Sequence, residues 1–142
     1  MTHARTEIRE AIKTRLTGLS TTADRVHVGR TRPLAEGHQP TLLIYTVNEQ
    51  SGRGVEGNPA SIGRTLLVVV EGRVSEAIPP DDLLDTIAKE VEAKLRDSEE
   101  ALDVLDIMLT TTAVEVRSEG SRHIGEINLV YSVRYSEPSE AE

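Results

Sequence analysis

Cysteine, phenylalanine and tryptophan are absent from this 142-residue chain, and tyrosine occurs only at Tyr45, Tyr131 and Tyr135. The lack of cysteine excludes disulfides, thiolate metal ligands and a thiol nucleophile, and it suits a reducing compartment. So few aromatic rings also argue against a base-stacking nucleic-acid platform. No apolar run approaches the roughly 18 residues of a membrane span. The longest, Leu66 to Val70, is five aliphatic residues. The opening stretch, Met-Thr-His-Ala-Arg-Thr-Glu, lacks the apolar segment of a signal peptide.

What is present describes one globular domain. Hydrophobic residues make up 37% and charged residues 28%, a balance that opposes wholesale disorder. A chain of this length buries roughly 70% of its unfolded surface. Charge is distributed unevenly. Residues 1 to 73 hold 10 basic and 7 acidic side chains, whereas residues 74 to 142 hold 6 basic and 17 acidic ones, for an overall −8. A solvated acidic helix and tail account for this simply. The alternative is complementary surfaces that join identical subunits head to tail.

The hydrophobic periodicity predicts an α+β domain of order α-β-β-β-α-β-β, with two helices on a largely antiparallel or mixed sheet. Ile8, Ile12, Leu16 and Leu19 form the stripe of a first helix, and Gly18 and Ser20-Thr21-Thr22 mark its stop. Extended segments are expected at Arg25–Arg30, Thr41–Val47 and Arg64–Glu71. The unbroken aliphatic run in the last implies burial on both faces, against the helices on one side and a second layer or neighbouring subunit on the other. Between these strands, residues 48–63 carry four glycines and Pro59 and read as a long mobile loop that orders on a partner. Pro79-Pro80-Asp81-Asp82 opens a second helix with the stripe Leu83, Leu84, Ile87, Ala88, Val91 and Leu95. Asp85 with Lys89, Glu90 with Lys94, and Glu92 with Arg96 stand at the spacing of helical ion pairs. An acidic connector follows, containing Asp97, Glu99, Glu100, Asp103 and Asp106. Apolar residues then alternate on odd positions from Leu105 and switch to even ones at Val114, which predicts a bulge near Thr112 to Val114. Glu119-Gly120-Ser121-Arg122 is a turn into a final strand through Tyr135. The domain is expected to span residues 1–135, with a short disordered acidic tail at 136–142.

Motifs that could carry chemistry fail on their surroundings. Gly52-Arg53-Gly54-Val55-Glu56-Gly57 matches the dinucleotide fingerprint in letters, yet a strand follows where a crossover helix must open. His3, His27, His38 and His123 are scattered, without metal-ligand spacing. Asp81, Asp82 and Asp85 lack the calcium-loop spacing, and the helix dipole accounts for the first two. Ser51, Ser61 and Ser121 lack the sequence of a nucleophile elbow. Glu99 and Asp103 read as an exposed acidic face rather than a glycosidase pair. No catalytic residue, cofactor or metal is expected. Arg25, Arg30, Arg32 and Arg53 more readily meet an acidic protein surface than phosphates.

The order of elements and several strings resemble the tail terminator proteins of long-tailed bacteriophages of the lambda type. The resemblance spans most of the chain. It rests on the N-terminal helix (Arg9, Ala11-Ile12, Leu16), Arg25-Val26 with Arg32-Pro33, and Pro40-Thr41-Leu42 through Tyr45-Thr46. It continues in the glycine-rich insertion, Arg64-Thr65-Leu66 to Glu71, the helix Leu83 to Leu95, and the ending Gly120, Gly125, Leu129, Tyr131, Val133 and Tyr135. It implies a non-enzymatic structural protein of the virion, at the head-proximal end of the tail, assembled in the host cytoplasm. Copies would form a hexameric ring that caps the tail tube protein, ends its polymerisation and offers a surface to the head-completion or connector protein. DNA would pass through without specific binding, and no membrane is involved. On this reading Arg30, Arg32, Asn48, Arg53 and Glu56 are candidates for protein contacts. Asp97, Glu99, Glu100, Asp103 and Asp106 are candidates for the lumen or the ring interface. Another connector or minor tail protein, or a small bacterial ligand-binding domain or enzyme, is the alternative.

Overall fold

The computed structural model describes residues 3–29, 40–53 and 61–138. Helix α1 (Ala4–Leu16) buries Ile8, Ile12 and Leu16, one per turn of its inner face. His3 caps its start, Nδ1 accepting from the Arg5 N–H at 3.0 Å. Strand β1 (Val26–Val28) is followed by β2 (Thr41–Arg53) and β3 (Ser61–Glu76). Helix α2 (Asp81–Leu95) turns Leu84, Ile87, Ala88, Val91 and Leu95 inward, with Asp81 and Asp82 at its positive end. A single turn, α3 (Glu99–Leu102), precedes β4 (Asp106–Glu119) and β5 (Arg122–Pro138).

The five strands form one sheet in the order β1-β2-β3-β5-β4. β1 runs parallel to β2, and the remaining neighbours are antiparallel. The helices cover one face, where they enclose Leu42, Ile44, Leu66, Val68, Val70, Val74, Ile127, Leu129 and Val133. On the other face Leu43, Val69 and Glu71 are also buried. Four of the five residues of the aliphatic run, Leu66, Val68, Val69 and Val70, are thus buried within a single chain, and Leu67, on the face away from the helices, is partly exposed.

Two bulges set which side chains face the helices. Between Thr46 and Asn48 the β2–β3 register shifts by one, leaving Val47 as the extra residue. Even positions face the helices before it and odd positions after it, so Glu49 pairs with Leu66 and joins the helix side. The second shift lies between Leu109 and Thr111, slightly ahead of the position expected from the apolar pattern. It keeps Ile107 and Leu109, then Thr112, Val114 and Val116, on the same face.

Several expectations are corrected. Asn48–Arg53 and Ser61–Gly63 are not loop but paired strand, because β2 and β3 continue as a long hairpin that β5 extends. The remainder of that segment, residues 54–60, lies outside the described residues. Ser136–Pro138, expected in a disordered tail, pairs with Gly63–Ser61. The acidic connector contains α3, where Glu99 and Glu100 occupy the positive first turn. Among the described ion pairs, none of the three expected along α2 occurs. Glu90 instead accepts from the Thr21 N–H and hydroxyl, tying the loop after α1 to α2.

Candidate interaction surface

Each edge of the sheet is exposed to a different degree. β1 is only three residues long, whereas β4 runs for 14 and, among the described residues, is paired on one side alone. From Thr110 to Glu119 every residue of β4 is exposed. Its helix-side row includes Val114 and Val116, which α2 leaves 48% and 43% exposed. Leu105 just before the strand and Met108 on its opposite face are more than half exposed. A long, apolar and unpaired edge is unusual on a small domain, because it templates pairing with another chain.

Beside the foot of this strand, α2 stands off the sheet and leaves an open cleft of about 170 Å³. Its walls are Leu95, Ile107, Leu109 and Tyr131, and Glu92 and Arg96 add charge. Tyr131 is 4% exposed, and its hydroxyl has no hydrogen-bond partner among the described residues. Burial pushes the phenol above its ordinary value, and the nearby Glu92 carboxylate adds to the rise. The hydroxyl therefore stays protonated and can both donate and accept.

The acids expected in the lumen or ring interface follow one another along the chain between the end of α2 and the start of β4. Asp97 and Asp103 hold left-handed backbone, φ 54° and 58°, as α2 and α3 end. Aspartate tolerates this conformation better than most residues. Asp106 opens β4 and lies 3.6 Å from Arg134. From Asp97 to Val116 the chain has six acids and no base.

The candidates in the first half are less gathered. Asn48 is exposed, pairing with Leu67 on the face away from the helices. Arg53 ends β2 opposite Ile62. Arg30, Arg32 and Glu56 lie outside the described residues. Part of the remaining basic charge is already engaged. Arg5 and Arg64 meet Glu49 at 2.8 and 2.7 Å, and Arg73 meets Glu71. Arg25 donates to the carbonyls of Pro40 and Thr21 at 2.7 and 3.0 Å. Arg9, Lys13, Arg15, Lys89, Lys94 and Arg96 stand in none of the ion pairs among the described residues.

Sequence reasoning missed two polar clusters. Glu49 collects Arg5, Arg64 and the Tyr135 hydroxyl. On the other face, the buried Glu71 accepts from the Tyr45 hydroxyl at 2.8 Å and from Arg73. A glutamate within an aliphatic strand was the available signal for the second. The first depends on the bulge at Val47, which leaves no mark in the residue pattern. Both clusters pair charges inside the fold. Among the described residues, no group of three His, Asp or Glu is placed to hold a metal ion, and no helix is long and apolar enough to cross a membrane. No protein-family model matches the chain, and no curated protein matches it.

Proposed function

We propose that this chain is a structural subunit of a bacteriophage tail, whose copies form a ring that caps the tail tube and receives the head. The resemblance in element order and residue strings motivates the reading. The observation that carries it furthest is the uncovered apolar surface on separate elements: Val47 on β2, Ile78 before α2, and Leu105, Met108, Val114 and Val116 at β4. A capping subunit must touch its neighbours, the tube below and the connector above, so it needs more than one such surface. The two unlike sheet edges also suit heterologous contacts, the type that closes into rings.

The decisive experiment adds the purified protein to polymerising tube protein from the same virus. A terminator shortens and caps the tubes, and negative-stain images show a ring at one end. Tubes of unchanged length with no bound protein would overturn the reading. Binding to the head portal alone would favour the connector alternative.

A further inference from the structure

We infer that the free edge of β4 is a self-complementary interface: two copies of this chain pair antiparallel through residues 113–119, with Val116 on the twofold axis. The inference goes beyond the ring reading. It concerns the free protein and holds whether or not copies later close around a tube.

The backbone limits how a second copy can seat. The two-residue turn at Gly120-Ser121 closes on the Glu119–Arg122 pair, which makes that pair a hydrogen-bonded one. Counting back, Arg117, Glu115 and Ala113 bond β5, so Ser118, Val116 and Val114 turn their N–H and C=O groups to the open side. An antiparallel partner must therefore set even positions against even ones. Twofold registers centred on any residue from Val114 to Ser118 meet this condition.

Charge chooses among them. Centring on Glu115 sets that carboxylate against its own copy. Centring on Arg117 does the same to the guanidinium and places Glu115 against Glu119. With Val114 at the centre, both charges lie opposite uncharged residues, Ala113 and Thr111. With Ser118 there, Arg117 meets Glu119, but Val114 and Val116 run off the end of the partner strand. The Val116 register sets Glu115 of each copy against Arg117 of the other, and symmetry forms the pair twice. Both residues then occupy non-hydrogen-bonded positions of the new ladder, where opposed side chains stand closest.

Each group also gains what its own chain lacks. Glu115 is exposed and directly opposite Glu126 on β5, and it stands in none of the ion pairs among the described residues. Arg117 is 55% exposed, and its contacts to Glu119 and Glu126 are long, 3.5 and 3.6 Å. On the helix face the same register lays Val116 against Val116, with each Val114 diagonal to it, so the exposed apolar row covers itself. The paired segment is short, which makes the dimer a reversible one.

The test is sedimentation of the whole protein from about 1 µM to about 1 mM, with amide exchange followed by NMR over the same range. It is run at about 0.15 M salt, which screens the general repulsion between copies of net charge −8. The parent chain should pass from monomer to dimer, and the Val114, Val116 and Ser118 amides should slow their exchange as it does. Glu115→Arg sets like charges opposite each other in the dimer, and so does Arg117→Glu. Each variant alone should dimerise at least about tenfold more weakly than the parent. An equimolar mixture of the two restores both pairs between unlike copies, so it should associate within about threefold of the parent. The chain carrying both substitutions should do the same by itself, which separates a lost interface from a damaged fold. A parent that stays monomeric to about 1 mM overturns the inference and leaves the edge to a strand of another protein. So does a dimer whose β4 amides exchange freely, or one that the single substitutions leave unchanged, or variants that fail to recover on mixing. The tube protein takes no part in these measurements, so their outcome and that of the capping experiment are read separately.

Discussion

The hydroxyl of Tyr135 on β5 donates to Glu49 Oε1 on β2 at 2.6 Å, bridging over β3. Arg64, on the intervening strand, donates to Glu49 Oε2 at 2.7 Å, and Arg5 at the start of α1 reaches the same oxygen at 2.8 Å. One carboxylate thus ties three strands and a helix together at the end of the sheet where β4 no longer runs.

Glu49 makes the fold sensitive to acid. Burial alone would raise its pKa. The hydrogen bonds from Tyr135 and Arg64 and the charges of Arg5 and Arg64 outweigh burial and hold it below its ordinary 4.5. Because the folded-state value is depressed, this stabilisation is complete above the unfolded value and disappears as pH falls through the folded one. Glu49→Gln should therefore lower unfolding stability in urea by on the order of 2 kcal/mol at neutral pH. The gap from the parent protein should narrow progressively below about pH 4.5. A gap that stays constant down to pH 3 would show that the carboxylate charge contributes nothing.

Gly125 is fixed by packing. A Cβ at this position would stand 2.8 Å from Pro80 Cγ, 3.0 Å from Leu84 Cδ1 and 3.1 Å from Val74 Cγ2. Pro80 is a ring that cannot swing aside, and it caps α2, so the helix start itself must move. Gly125→Ala should cost about 2 kcal/mol, as overpacked cores do. By contrast, Ala at Gly120 meets no atom, and its cost should come from the positive φ of the turn alone. Chemical denaturation of the two variants separates the mechanisms, because only Gly125→Ala should perturb the amide signals of α2.

These residues also mark how far the sequence could be read. The stripes Ile8, Ile12, Leu16 and Leu84, Ile87, Val91 encode helices whose inner faces follow directly from a 3.6-residue period. The alternation from Ile127 to Tyr135 likewise gave strand β5 and its buried face. The hairpin of β2 and β3 was obscured because Asn48–Arg53 is polar and glycine-containing. Its strand character comes from pairing with β3, a tertiary effect that local propensity does not carry. The β4 bulge was visible because it shifts apolar residues between parities. The one at Val47 was hidden because polar residues follow it. The β4 edge was legible only in part. Its apolar residues could be counted, but their exposure depends on where α2 ends over the sheet.

Tyr131 predicts the opposite pH response from Glu49. Its phenol is buried beside the Glu92 carboxylate, and both influences raise its pKa above the ordinary 10.0. For a group raised in the folded state, the neutral form is the stabilised one. Its contribution is complete below the unfolded value and is lost as pH climbs through the folded value. The chain has no tryptophan, so tyrosinate absorbance can be followed without that background. In an alkaline titration Tyr131 should ionise above pH 10, in step with loss of the native fold. Tyr131→Phe removes the ionisation and the unpartnered hydroxyl together, so it should gain stability relative to the parent most clearly above pH 10. At neutral pH its stability should lie within about 1 kcal/mol of the parent, because the hydroxyl has no hydrogen bond to lose. If Tyr131 instead ionised in the native protein near pH 10, the cleft would be open enough to solvate a charge, and the burial argument at this site would fail.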